Sequence, residues 1–512
     1  MSHPFETFCN AFILLIEKKT TLVNKASWLL ETTGASDAAD LRAALDGELK
    51  TLFSDANTYH QLLEWEKEGV LSQRELNVLV RAFKQAQVDP ELLDMLSRKE
   101  ALLAQSYATF RPQLDGKEVG VNTLKEILKK ELSVEKRQKA WEASKQGGEV
   151  FAPQILELVH LRNRVAHELG YVDFFQMQLT LQEIDPEWLF TTLETLSQAS
   201  EGAYGTLMQE ITQAQSHRFG VTPEAFGPWA WSEPFSQEDP LDVEELDQLV
   251  CGVDMIEACR HFYSLMGFDV SAILARSDML ERPGKSQGAF CVHIDRKGDI
   301  RTLNNVKSTL KWLETLLHEL GHAIYEQGLD PKLPWLLREP SHTMTTEAMA
   351  LLAGRQAYRS ASLQLLVGKV SPQAERSLKR RQLIFSRWVL VMTTFERGLY
   401  QNPAQDLNQL WWECVERYQK IRPPKGRKGK ADWATKDHIG IAPVYYFSYL
   451  LGELFASSIE KAIPNLATER AGRFLQEKLF FPGNSLSWDR LIAQVTGAPL
   501  SPQAWLEEFA DT

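Results

Sequence analysis

The chain reads as a mainly α-helical protein: one large helical body with a single small β-sheet. Three observations carry that reading. Apolar residues recur at three- and four-residue intervals through most of the 512 positions, as in LLEWEKEGVLSQRELNVLVRAF (62–83). Only one stretch, 288–304, shows short β-prone runs. Gly and Pro punctuation is sparse enough to leave helix-length segments between turns.

Taken in order, the first segment has an apolar run at 11–16, preceded by acidic Glu6 and by no basic region. No small-residue cleavage site follows, so it reads as the first amphipathic helix and not as a signal peptide. Helical patterning continues to about residue 145, with turns at Asp89-Pro90, Gly116 and Gly147-Gly148. A second helical stretch runs from 150 to about 217, broken near Gly170 and at Asp185-Pro186. Segment 218–243, with FGPWAW and SEPF, is an ordered connection. At 288–304, GAFCVHID and DIRTLN flank Arg296-Lys297-Gly298 as a hairpin. Helical pattern resumes at Val306, interrupted only by the Pro/Gly/Lys-rich loop 421–437. No repeat of fixed period appears. The expected organisation is one domain of two lobes, about 1–217 and 288–512, joined by 218–287.

Composition narrows the function classes. A hydrophobic fraction of 44% with 14 Trp supplies ample core material. The formal net charge of -12 argues against a nucleic-acid binder or a binder of anionic membranes. No segment approaches the ~20 apolar residues that cross a bilayer. Five scattered cysteines without a CxxC give neither a disulfide framework nor a cysteine metal site, so buried thiols in the cytoplasm are expected.

The segment LETLLHELGHAIYEQG (313–328) contains HExxH in an apolar helical context. Four residues turn an α-helix by roughly 400°, which puts His318 and His322 on one face about a turn apart. Two imidazoles so placed can reach one tetrahedral zinc ion at ~2.0–2.1 Å. Glu319, beside the first ligand, can address the attacking water as general base. A chance match somewhere in a chain with 11 His has a probability on the order of one or two per cent. The chain holds its own control: His167-Glu168-Leu169-Gly170 repeats HELG, but Tyr171 stands where the second His would be. That copy reads as an ordinary helix end.

A third ligand is expected on another helix. Glu347, in REPSHTMTTEAMALLAGRQAY (338–358), lies 25 residues after His322 among apolar neighbours, where an unpaired carboxylate is costly. The plain alternative is an ion pair with Arg338 or Arg355. His342 is the rival ligand, or else a substrate contact.

The chain here resembles the gluzincin zinc peptidases, which pair HExxH with a downstream Glu. The likeness is to the angiotensin-converting enzyme family and to the oligoendopeptidase F and thimet oligopeptidase families, with a weaker one to carboxypeptidase Taq. It is carried by RPGKSQGAFCVHI, by LLHELGHAIYEQG with LREPSHTMTTEAMALL, and by KDHIGIAPVYYFSYLLGELFASS, over roughly 281–460. The resemblance implies a helical ellipsoid with a deep substrate cleft and zinc at its floor, the small sheet beside the zinc helix. It also implies that Lys436 anchors a substrate carboxylate. His438 and either Tyr445 or Tyr446 would then serve the oxyanion of peptide hydrolysis. The plain readings are a solvated basic run from Arg422 to Lys436 and an aromatic helix face in YYFSYLLGELF.

The strand at 288–294 has a use of its own. An extended peptide can add to a sheet edge through main-chain hydrogen bonds, and small Gly288 and Ala289 permit close approach. His293 either faces the substrate or satisfies local polar groups. The expected function is therefore hydrolysis of oligopeptides with a Zn2+ cofactor, by a monomer or a homodimer. The cleavage mode stays open between endopeptidase, dipeptidyl carboxypeptidase and carboxypeptidase. The alternative is a non-catalytic helical peptide-binding protein that retains the metal.

Overall fold

The computed structural model describes residues 3–70, 72–241 and 244–511. About 69% of the chain is helical, with two small two-stranded sheets. The mainly α fold class is as expected. The single sheet is corrected to two: Gln113–Leu114 pairs with Lys117–Glu118. Its turn places Asp115 and Gly116 at φ 49° and 77°, the left-handed pair that an Asp-Gly dipeptide favours in a tight hairpin.

Two compact units divide the described chain. One comprises Met1–Gln87, Glu244–Glu375 and Leu451–Ala504; the other comprises Val88–Val243, Arg376–Leu450 and Trp505–Thr512. Each unit gathers three separate stretches of chain.

In the first unit, Pro4–Thr33 is a helix whose Phe5, Cys9 and Ile16 pack with Leu62, Trp65, Leu76, Leu79 and Phe83. The predicted hairpin is present as Phe290–His293 paired antiparallel with Ile300–Leu303. It packs on the helix Leu310–Gln327, which carries HELGH. That helix starts cleanly. Thr309 caps it by accepting from the Trp312 N–H, and the Leu310 N–H donates to Asp247 at 2.9 Å. Leu313, Leu316, Leu317, Leu320, Ala323 and Ile324 are all buried, so the helix is wrapped on most sides.

The helix Thr343–Arg355 lies directly against it. A Cβ at Gly321 would come within 2.8 Å of the Ala350 Cα, so the two backbones meet at a contact only glycine allows. On its other side, a Cβ at Gly452 would meet the Glu347 Cβ at 3.1 Å.

In the second unit, Asp89 and Asp185 cap the helices Pro90–Thr109 and Pro186–Ala199, as their Asp-Pro signals predict. The helix Gly148–Glu168 ends within the control motif, and Gly170 turns the chain at φ 82°. His167 is exposed, with Nε2 2.8 Å from the Val172 carbonyl oxygen, an ordinary helix end. The connection 218–241 is ordered. Trp229 and Trp231 are buried, and Arg137 donates to their carbonyl oxygens at 2.8 and 2.9 Å. Positions 242 and 243 of that segment lie outside the described residues. Among the described residues no helix is long and apolar enough to cross a membrane. All five cysteines are free thiols; Cys9, Cys259 and Cys414 are buried and Cys251 is exposed.

Candidate metal centre and neighbouring site residues

His318, His322 and Glu347 converge in the first unit, their ligand atoms all within 4.8 Å of one another. Glu347 Oε2 lies 3.6 Å from His318 Nε2 and 3.9 Å from His322 Nε2. Ligands bound at ~2.0–2.1 Å around a tetrahedral ion stand roughly 3.3–3.5 Å apart, so the two Glu347–imidazole distances lie close to what zinc requires. The imidazole rings are 4.9 Å apart and nearly perpendicular, at 84°. Nitrogen and carboxylate donors in this number suit zinc better than the all-oxygen shells of calcium or magnesium.

Neighbouring groups aim the ligands. Thr346 Oγ1 lies 2.7 Å from His322 Nδ1; an Nδ1–H donated there leaves the Nε2 lone pair facing Glu347. The Tyr263 hydroxyl donates to the Leu317 carbonyl oxygen at 2.5 Å, pinning the backbone just before His318. Burial depresses the His318 imidazole to about 4, against the pull of Glu314. Burial and then His318 push His322 well below its ordinary range. Both rings are neutral at pH 7, the form that ligates metal.

Glu319 is 6% exposed, and burial followed by the Glu347 carboxylate raises it to about 8. A divalent cation held by Glu347 would offset the second cause. Glu319 thus stands beside the donor set as a carboxyl able to hold or release a proton near neutrality.

The alternative partners of Glu347 are engaged elsewhere. Arg338 donates to the carbonyl oxygens of Leu333 and Arg296. Arg355 lies on Glu453 and Ser457. His342 is outside the donor cluster: it caps the Thr343–Arg355 helix, with Nδ1 accepting from the Met344 N–H at 2.9 Å. His293 satisfies local groups. Its Nε2 accepts from the Gly298 N–H at 2.9 Å, and Nδ1 donates to Glu326 at 2.9 Å. The strand expected at 288–294 is shorter, Phe290–His293; Gln287 and Gly288 form a bend, and Ala289 leads from it into the strand. Gly288 is exposed and nothing but the Ser286 hydroxyl, 3.9 Å away, would meet a Cβ there.

Lys436, His438, Tyr445 and Tyr446 belong to the second unit. The solvated reading of Lys436 is overturned. It is 8% exposed, with Nζ 5.4, 5.6 and 5.7 Å from the rings of Tyr446, Phe235 and Trp388. The His438 and Tyr446 rings meet at 5.0 Å, and Asp437 Oδ1 stands 2.8 Å from His438 Nδ1. Burial alone would raise Asp437, but the His438 hydrogen bond and Lys436 hold it down at about 2. Tyr446 is buried against Trp388, and Tyr445 is half-buried against Tyr449 at 5.1 Å.

The turn before these tyrosines is held by a buried acid. Val444 has φ 58°, a strained value for a β-branched residue, and its N–H donates to Glu396 Oε1 at 2.9 Å. Burial raises Glu396 from 4.5 to about 8, against the Val444 hydrogen bond and the Arg162 charge. Between those pH values the folded state keeps a proton that the unfolded state releases, so this group lowers stability as pH rises. Glu396→Gln keeps the acceptor oxygen and is expected to flatten the decline of thermal midpoint with pH over that window, read by melts at stepped pH.

Sequence reasoning missed Thr346, Tyr263, Gly321 at the contact with Ala350 and Gly452 beside Glu347. Thr346 adjoins Glu347, yet nothing in the spacing shows that it reaches an imidazole on another helix.

The chain is similar to angiotensin-converting enzyme of Sus scrofa, 23% identical over 419 residues, a match covering 71% of this chain and 31% of the pig protein. The chain thus spans about a third of the length of that curated relative. The family model described as Peptidase_M2, angiotensin-converting enzyme, matches residues 230–507, which include HELGH, Glu347, His438 and Tyr446. With more than half of its length matched, the chain belongs to the angiotensin-converting enzyme family of peptidases.

Proposed function

We propose that the protein is a zinc peptidase that hydrolyses oligopeptides, with His318, His322 and Glu347 as ligands and Glu319 as general base. The observation that carries the reading is the convergence of two neutral imidazoles and one buried carboxylate, with a second buried carboxyl adjoining them. Zinc, when bound, supplies Lewis acidity and lowers the pKa of water towards about 7. Glu319 takes the proton of the attacking water and hands it to the departing amine. His438 and Tyr446, or its neighbour Tyr445, donate hydrogen bonds to the oxygen that gains charge. What supports that assignment is the KDHIGIAPVYYF likeness and the ring contact of His438 with Tyr446. Lys436 would take a substrate carboxylate, His342 would contact substrate, and Gly288 and Ala289 would let a peptide approach the hairpin edge. The free thiols fit a cytoplasmic setting.

A non-catalytic protein with a retained metal is the weaker reading. Structural zinc sites close with four protein ligands, whereas among the described residues three donors stand together, with Glu319 next to the first of them in sequence. The test is zinc content together with mass spectrometry of products from one decapeptide, free and C-terminally amidated. Zinc bound at one per chain with peptide cleavage is the expected result. Zinc without cleavage of any peptide overturns the reading. Release of C-terminal dipeptides from the free acid alone makes Lys436 the next residue to substitute; equal cleavage of both forms dismisses the anchor.

A further inference from the structure

We propose that Lys285 and Asn305 are positioning residues for substrate. They hold the backbone at 288–291, the outward edge of the hairpin, in place beside the His318/Glu319 helix. The inference rests on the peptidase reading and names the residues that set its substrate edge.

The register defines the edge. Val292 pairs with Arg301 and Phe290 with Leu303, and the Ile294 N–H donates to the Asp299 carbonyl oxygen at 2.8 Å. With that alternation, the backbone groups of residues 290 and 292 turn towards the partner strand and those of Cys291 and His293 turn away from it. The partner strand agrees. Thr302, opposite Cys291, sends its own N–H and C=O the other way, to the Ser277 hydroxyl and the Asp278 N–H. Asn24 donates to the carbonyl oxygens of His293 and Ile294 and so closes the far end of the edge. Cys291 and the bend before it are left as the outward rung.

That bend is tied down by a caged cation. The Lys285 side chain is fully buried. Its ammonium reaches the Asp278 carbonyl oxygen at 3.1 Å, Asp278 Oδ1 at 2.8 Å and the Leu280 carbonyl oxygen at 2.8 Å, and it also donates to the Asn304 carbonyl oxygen. Four oxygens thus converge on a group with three protons, from segments on both sides of the hairpin. The next residue, Asn305, donates to the carbonyl oxygens of Ser286 at 3.0 Å and Gly288 at 3.1 Å. On the other face, the Ser286 N–H donates to the Glu31 carbonyl oxygen at 2.8 Å and Arg282 to that of Thr32 at 2.6 Å. Gly284, at φ 82°, leaves no room for a Cβ against the Thr33 carbonyl oxygen, 2.6 Å away.

The loop therefore has one backbone path. An apolar side chain could fill the space of Lys285, but it could not fix three carbonyl groups at once. A strand that reads its ligand only through main-chain hydrogen bonds needs its own main chain fixed. Asn304 and Asn305 also lie just ahead of Thr309, the cap of the HELGH helix. The clamp thereby relates the edge to the helix that carries the base. That helix is separately held by Tyr263 and by the Gly321 contact, so loss of the clamp moves the edge and leaves the metal ligands in place.

The experiment uses the full chain with zinc and a cleavable peptide, together with copies of that peptide N-methylated at each amide in turn. Lys285→Met is expected to raise KM about tenfold, the loss of one or two hydrogen bonds, with kcat within about twofold and zinc content unchanged. Asn305→Ala acts in the same direction and carries the test if Lys285→Met fails to fold. One N-methylated peptide should raise KM on the wild type and add nothing further on the variants. Wild-type inactivity would remove the peptidase reading and the clamp with it. An active wild type with KM unchanged in the variants, or with kcat and zinc lost together, would overturn the clamp alone.

Discussion

Glu319→Gln is expected to lower turnover of a peptide substrate by about 10²–10⁴-fold, the range that a positioned general base contributes. The substitution keeps size and hydrogen-bonding shape but removes the group that takes and returns the proton. Because Glu319 is not one of the three convergent ligand residues, zinc content should stay at the wild-type level. Peptide affinity should also stay, since the variant loses a transition-state interaction and no binding surface, so kcat falls with KM nearly fixed. The measurement is steady-state kinetics beside metal analysis of the same preparation. Full activity in the variant removes Glu319 from the mechanism. A parallel loss of zinc would instead make it part of the metal shell.

Arg355→Ala is expected to destabilise the first unit by about 3–5 kcal/mol, the cost of leaving a buried charge without its partner. Arg355 is 3% exposed. Its Nε donates to Glu453 Oε2 at 2.9 Å, Nη1 to the Ser457 hydroxyl at 2.9 Å and Nη2 to the Glu453 carbonyl oxygen at 3.0 Å. Truncation removes the guanidinium that pairs with Glu453, itself 4% exposed. Adding Glu453→Leu to an Arg355→Met variant should recover much of the loss, because two apolar side chains then fill the space without a stranded charge. Urea midpoints of the single and double variants decide it. Equal midpoints for wild type and Arg355→Ala would show that water reaches the pair and screens it.

Much of the fold was legible in the sequence because its signals are local. Asp-Pro pairs at 89–90 and 185–186 begin helices as read, and the two runs flanking Arg296-Lys297-Gly298 form the hairpin. The convergence of the candidate donors was legible for a similar reason. Helical spacing alone aligns His318 with His322, and an acid amid apolar neighbours wants a partner, which Glu347 finds in the imidazoles. What escaped depends on contacts between distant segments. The basic run ending at Lys436 looks solvated until Phe235 and Trp388, 201 and 48 residues earlier in the chain, close over its ammonium. The small pair at 113–118 was hidden because strands of two residues carry no alternation to read.

The tetrapeptide His-Glu-Leu-Gly occurs twice, and its glycine does opposite work in the two places. At 167–170 it contributes conformation: the chain swings into left-handed backbone and the helix is over. At 318–321 the helix runs straight through, and the glycine contributes only missing volume, so that Ala350 can come up against its Cα. The separation of two main chains, and not the reach of a long side chain, thus sets how far Glu347 stands from the imidazoles. A donor set gauged in this way inherits the stiffness of helical backbone, and its spacing is decided as the two helices dock.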